Sequence, residues 1–108
     1  MDITRLKKNT GGNIQLVKAI LEKISKQLSQ SLQQFQDMQG AKDWQGGYEL
    51  AHKLRSGTGY LYHSELSDVL LRLEEAYKKQ DEAVIIELQE KYQAIAKTCS
   101  DTIESIKL

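Results

Sequence analysis

The stretch Asn13–Gly40, NIQLVKAILEKISKQLSQSLQQFQDMQG, decides the fold class of this chain. Its apolar residues recur at spacings of three and four, at Val17, Ile20, Leu21, Ile24, Leu28, Leu32 and Phe35. This spacing places them along one face of an α-helix. The stretch therefore predicts a long amphipathic helix that ends near Gly40 and offers one apolar face for burial.

Residues that favour helix N-termini mark the remaining helices. A short leading helix is predicted over Asp2–Lys8, and Asp43, Ser64 and Asp81 are expected to cap three further helices. The last two carry apolar stripes, formed by Leu66, Val69, Leu70, Leu73 and Tyr77 and by Ile85, Leu88, Tyr92, Ile95, Cys99, Ile103 and Ile106. Since the connections are short, the sequence predicts an all-α fold, an antiparallel up-down four-helix bundle with a short leading N-terminal helix.

The composition fits one small helical domain that covers residues 1–108. Proline is absent, and the formal net charge is zero. Because binding to phosphate backbones depends on an excess of basic charge, zero net charge argues against a nucleic-acid partner. We expect a monomer, since the polar helix faces leave no long apolar stripe for a second subunit.

The sequence also bears on cellular location. The longest plainly apolar run, Ala83–Ile86, is far too short to cross a membrane, and the N-terminus lacks the apolar core of a secretory signal. We therefore expect no direct membrane insertion. The single cysteine, Cys99, excludes an internal disulfide and lies on an apolar stripe, so it is expected in the core. These features fit a cytoplasmic protein, or the cytoplasmic part of a membrane-anchored one.

The helix that follows Asp43 is predicted from Trp44 to about Leu61, and it displays a histidine within AHKLRSGTGYL, residues 51–61. At about 100° per residue, the leucines of this segment point to one side of the helix. His52 lies on the opposite side and shares it with Arg55, Ser56 and Gly59. The leucine pattern therefore predicts that His52 faces outward.

Four glycines lower the predicted stability of this helix. Gly46, Gly47, Gly57 and Gly59 would each cost about 1 kcal/mol relative to alanine. Close packing against another helix can account for the first three, which lie on or beside the buried side. Gly59 lies on the outer side, where a small residue would let another protein approach the imidazole of His52.

This pattern resembles the histidine phosphotransfer (HPt) domains of phosphorelays. The resemblance is carried by Ala51-His52, Leu54, Arg55, Ser56, Gly59, Leu61, Leu66 and Leu73-Glu74. It extends over the whole chain through Thr10-Gly11-Gly12-Asn13, Asp43-Trp44 and Gln80-Asp81, which precede predicted helices. The chain has Ser56 and Tyr62 where the family most often has glycine. Serine is a mild change, whereas Tyr62 is expected to alter the rim of the partner surface.

The resemblance implies a phosphoryl carrier and not an enzyme. His52 would accept a phosphoryl group from the aspartyl phosphate of a response-regulator receiver domain and pass it on, while Arg55 would stabilise the phosphoryl oxygens. The receiver would supply Mg²⁺ and a catalytic lysine, so no cofactor is expected on this chain. The expected docking residues are Tyr48, Lys53, Ser56, Gly59 and Tyr60. The chain would stand alone or form the C-terminal module of a hybrid sensor histidine kinase.

Two other functions fit parts of the sequence. A helical scaffold would bind a receiver or another protein without carrying phosphate, and it would not need His52. Glu49 and His52 match the Glu-x-x-His spacing of di-iron bundles, but the second such motif is missing. His63 would lie about 16 Å from His52 along one helix, too far to share a metal ion. We therefore expect no metal site, and we interpret His63 as a surface residue near a helix break at Tyr62-His63.

Overall fold

The computed structural model describes all 108 residues, Met1–Leu108, and contains helices but no strand. Five α-helices follow one another along the chain: α1 (Ile3–Asn9), α2 (Ile14–Gly40), α3 (Trp44–Thr58), α4 (Ser64–Lys78) and α5 (Glu82–Ser105). The all-α class predicted from the sequence is confirmed. None of these helices combines the length and the apolar character that a membrane span requires.

The packing of the four longer helices places α3, which carries His52, between α2 and α4. The fourth long helix, α5, packs against α2 and α4 as well, while the short α1 contacts α2 and the turn that follows α3. The molecule is elongated, with principal extents of 42 × 20 × 18 Å. One side of α3 is therefore fixed by its neighbours, and the other side is free to face solvent.

One apolar core of 21 residues runs through the helices. Every residue of the stripe predicted for α4 is buried, and Cys99 on α5 is 2% exposed, as expected of a core residue. Burial raises the pKa of the Cys99 thiol. The stripe of α2 is less uniform, since Ile20 and Leu32 are only partly buried.

A buried polar pair lies within this core. The Ser31 hydroxyl on α2 and the Tyr92 hydroxyl on α5 are 2.7 Å apart, and the Ser31 hydroxyl also donates to the Leu28 carbonyl at 2.8 Å. Burial raises the pKa of Tyr92 to about 12. The apolar periodicity does not predict Ser31 as a core residue, because its burial depends on the hydroxyl partner that α5 supplies.

Side chains cap the N-terminus of every α-helix, and most of these caps agree with the sequence. Asp43 accepts from the backbone N–H of Gly46 at 2.9 Å, and Asp81 accepts from that of Val84 at 3.3 Å. The prediction for α4 is wrong. Ser64 is already the first helical residue, and the cap is His63, whose Nδ1 accepts from the N–H of Leu66 at 3.1 Å. A neutral imidazole nitrogen offers a lone pair in the place where serine would offer its hydroxyl oxygen.

We expect the His63→Ala variant to lose about 1 kcal/mol of unfolding free energy, because one backbone N–H of α4 loses its acceptor. The His63→Asp variant should be at least as stable as wild type, since aspartate caps well and favours the helix dipole. Urea denaturation followed by circular dichroism checks both. The control is Ser64→Ala, which removes a hydroxyl that caps nothing. Equal losses in His63→Ala and Ser64→Ala would contradict the cap.

Of the glycines in α3, Gly47 is the one that close packing requires. A Cβ at Gly47 would lie 2.1 Å from Cε1 of Tyr77, a fully buried ring on α4. A Cβ at Gly57 would come no closer than 3.4 Å to Gln27 Oε1, and one at Gly46 would meet the Asp43 cap. The packing explanation offered for three glycines is therefore confirmed for Gly47 alone.

The end of α3 differs from the sequence prediction. The helix stops at Thr58, and Gly59–Leu61 form one turn of 3-10 helix instead of continuing it. Tyr62 follows in a left-handed conformation with φ of 52°, which explains why glycine would suit this position. Tyr62 remains possible because its side chain is held by α1, where Arg5 lies 4.5 Å from the ring centre and the Asn9 amide donates to the hydroxyl. Tyr62 thus contacts α1, and its effect on the rim of a partner surface stays a prediction.

Candidate functional site

His52 lies near the middle of α3 with its imidazole in solvent. Its side chain is 59% exposed, while Ala51 and Leu54 on the other side of the helix are buried. The apolar residues fix the rotation of α3, and this rotation turns His52 outward, as the leucine pattern predicts. The imidazole is therefore displayed by a rigid helix and is accessible to another molecule.

A buried carboxylate from α4 holds the imidazole. Oε1 of Glu74 lies 2.5 Å from Nδ1 of His52, and the Glu74 side chain is only 5% exposed. Oε2 of the same carboxylate accepts from Nε of Arg55 at 2.6 Å. Glu74 therefore joins the two residues that the sequence singled out, one helical turn apart on α3.

This contact decides which imidazole nitrogen is reactive. An ionised carboxylate can only accept hydrogen bonds, so Nδ1 of His52 must carry the hydrogen that it shares with Glu74. A neutral imidazole has one N–H, which leaves the lone pair on Nε2. Since the ring is exposed, Nε2 can act as a nucleophile towards a group brought by a partner. The carboxylate also stabilises positive charge on the ring as a bond forms at Nε2.

Arg55 is anchored by the same carboxylate. Its Nε donates to Glu74 at 2.6 Å, and one of its terminal nitrogens, Nη2, lies at the limit of hydrogen bonding, 3.5 Å from Oε1. The guanidinium offsets the negative charge of Glu74, which would otherwise be costly to bury. The Arg55 side chain is 38% exposed, so its outer N–H groups remain open to a ligand.

An aromatic ring lies beside the imidazole in an offset stack. Tyr48, one turn before His52 on α3, lies nearly parallel to it, with ring centres 6.2 Å apart and an angle of 15° between the planes. Tyr48 is itself partly buried against the core. The imidazole is therefore hydrogen-bonded at Nδ1 to Glu74 and flanked by the ring of Tyr48.

The other residues expected to contact a partner lie on the surface of α3 or just beyond it. Lys53, Ser56 and Gly59 are exposed, and Tyr60 is 53% exposed. Gly59 lies at the helix end and not in the helix interior, so the glycine cost computed for it from the sequence does not apply in full. A Cβ at Gly59 would meet no atom within 4 Å, which means that the space in front of this turn is open.

Glu49 and His52 have different hydrogen-bond partners. The carboxylate of Glu49 is exposed and accepts from the Gln45 amide at 2.9 Å, on its own helix. No group of three or more His, Cys, Asp or Glu side chains is placed to hold a metal ion. The polar side chains around His52 are thus connected through Glu74 and not through a shared ion.

Sequence reasoning named His52 and Arg55 but gave Glu74 no role. Its signals were its place in the Leu73-Glu74 pair of the HPt-like pattern and its charge at the border of the α4 stripe. Comparison of the chain with protein families, with curated proteins and with solved structures finds no match. The site consists of an exposed imidazole, a buried carboxylate that orients it, a guanidinium and a stacked aromatic ring.

Proposed function

We propose that this chain is an HPt-like phosphoryl carrier of a two-component phosphorelay, in which His52 receives a phosphoryl group from receiver domains and returns it. The observation that carries this proposal is the exposed Nε2 of an imidazole whose Nδ1 is bound by the buried Glu74. On this proposal α2–α5 form an antiparallel up-down four-helix bundle with α1 leading into it. Its support is the packing of α3 between α2 and α4, with α5 between the same two helices.

The transfer would be a direct displacement at phosphorus. The Nε2 lone pair attacks the phosphorus of an aspartyl phosphate, the new N–P bond forms, and the aspartate carboxylate leaves with the electron pair of the broken O–P bond. The Mg²⁺ and lysine of this chemistry would belong to the receiver. The positive charge that develops on the ring is stabilised through Nδ1–H by Glu74, and the reverse displacement restores the neutral imidazole.

Arg55 would serve both states of the carrier. Its guanidinium offsets the charge of Glu74, so an incoming phosphoryl group does not meet an uncompensated carboxylate. Its outer N–H groups can donate to phosphoryl oxygens through charge-assisted hydrogen bonds. Arg55 would thus stabilise the phosphorylated imidazole without taking part in bond formation.

The open surface beyond His52 gives a prediction about docking. We expect the Gly59→Lys variant to slow transfer from a receiver on the order of tenfold or more, because a long side chain would occupy the space through which the partner approaches. Stability should change little. The matched control is Gly40→Lys, which adds the same side chain at an open position at the end of α2. Equal transfer rates for the two variants would contradict docking over Gly59.

The experiment that tests the function is transfer from purified receiver domains that carry radiolabelled aspartyl phosphate. Label should move to the wild-type chain and form an adduct that is labile in acid and stable in base, as expected for a phosphorus–nitrogen bond. Candidate partners are response-regulator receivers, including that of a hybrid sensor kinase. If receivers bind the chain and none transfers label, the scaffold function replaces the carrier. A carrier of this kind is an intermediate and not an enzyme.

A further inference from the structure

The hydrogen bond to Glu74 alone does not fix the imidazole of His52. It restrains one ring atom, Nδ1, while the side chain as a whole is 59% exposed. The ring can still tilt about the Nδ1 contact, and rotation about Cβ–Cγ would exchange Nδ1 for a carbon. A nucleophile that tilts or rotates in this way spends less time with Nε2 aligned for attack.

Tyr48 supplies the restraint that Glu74 lacks. The two rings are nearly parallel at 15°, with centres 6.2 Å apart, so the phenol ring limits tilting of the imidazole towards the N-terminal side of α3. Tyr48 is a firm support because it is partly buried against the core. Tyr48 and Tyr77 also line the same cleft, which has a volume of about 550 Å³.

We propose that Tyr48 is a positioning residue that acts with Glu74 to hold His52 in the orientation that presents Nε2 to solvent. Its part in phosphoryl transfer rests on the proposed function, whereas its effect on the imidazole does not. Stacking is the relevant property, and no hydrogen bond of the phenol hydroxyl to His52 is involved. The Tyr48→Phe variant should therefore keep the positioning effect, and the Tyr48→Leu variant should lose it.

The test compares Tyr48→Leu and Tyr48→Phe with wild type by two measurements. Nitrogen-15 NMR reports which ring nitrogen of His52 carries hydrogen. Potassium phosphoramidate, a small phosphoryl donor that releases ammonia as the N–P bond forms, gives the rate of modification and the nitrogen modified. His52→Gln gives the background from His63. The control Ile86→Ala shortens an exposed apolar side chain on α5, a helix that packs against α2 and α4.

We expect wild type, Tyr48→Phe and Ile86→Ala to hold hydrogen on Nδ1 and to be modified at Nε2. The Tyr48→Leu variant should show a mixture of the two forms, some modification at Nδ1 and a rate reduced on the order of tenfold. Circular dichroism establishes that each variant is folded. If Tyr48→Leu matches wild type in both hydrogen position and rate, the positioning role is overturned. If these effects appear while no receiver transfers label, the proposed function fails and the positioning role stands.

Discussion

The His52→Gln variant is expected to take up no phosphoryl group from a receiver that labels the wild-type chain. It loses the only exposed nucleophilic nitrogen that Glu74 orients. Its stability should stay within about 0.5 kcal/mol of wild type, because the imidazole is largely exposed and glutamine is a good helix former. The buried Glu74 carboxylate also keeps Arg55 as a partner, whose Nε donates to it at 2.6 Å in the wild-type chain.

The matched control for this prediction is His63→Gln, which removes the other histidine of the chain. We expect this control to be labelled to the same extent as wild type at a temperature where it is folded, since His63 caps α4 and does not contact Glu74. Transfer is followed by separating the two proteins on a gel and counting the label, and stability is followed by thermal melting. Equal labelling of His52→Gln and wild type would remove His52 from the proposed function.

Replacing Gly47 with alanine should be among the most damaging changes to stability in this chain. Its new methyl carbon would lie 2.1 Å from a ring atom of Tyr77, a fully buried side chain that also packs near Phe35 and Trp44. Overpacking of this kind costs about 3 kcal/mol, and the better helix propensity of alanine returns about 1 kcal/mol. We therefore expect a net loss of about 2 kcal/mol in the free energy of unfolding.

The control for Gly47→Ala is Gly57→Ala on the same helix. Its Cβ would come no closer than 3.4 Å to the flexible side chain of Gln27, so the variant should be up to about 1 kcal/mol more stable than wild type. Urea denaturation measures both. Since Tyr77 follows Glu74 by one turn on α4, Gly47→Ala should also disturb the contact between Glu74 and His52. If both alanine variants are stabilised equally, α3 and α4 do not pack through Gly47.

Much of the fold follows from local signals in the sequence. Apolar spacing identifies the buried faces, and Asp43 and Asp81 mark helix starts because their side chains bind the N–H groups three residues later. The signals fail where a distant part of the chain takes over. α3 ends three residues early, before a turn whose last backbone group, the carbonyl of Leu61, accepts from the N–H of Asp2 at 2.9 Å. The sequence of α3 alone gives no indication of that contact.

The candidate site also has residues that the local sequence predicts and one residue that it does not. The outward direction of His52 follows from the leucines of its own helix. The position of Arg55 on the same side follows because it lies three residues after His52. Glu74 is 22 residues away, and its contact with His52 depends on the alignment of α4 against α3. That alignment depends in turn on Gly47 and Tyr77. A charged residue beside an apolar stripe is therefore a useful signal of a buried partner, although it does not identify which residue it binds.

On the proposed function, the contacts of Glu74 with His52 and Arg55 also constrain how a partner could distinguish the phosphorylated chain from the unphosphorylated one. Glu74 ties α3 to α4 through both His52 and Arg55, and the attacking nitrogen lies on the side of the ring away from these contacts. A phosphoryl group at Nε2 would add negative charge at the surface while the helices stay where they are. On the proposed function, a partner would recognise the phosphorylated chain by this added charge at one point of contact. The difference in affinity between the two states should therefore decrease as the salt concentration rises.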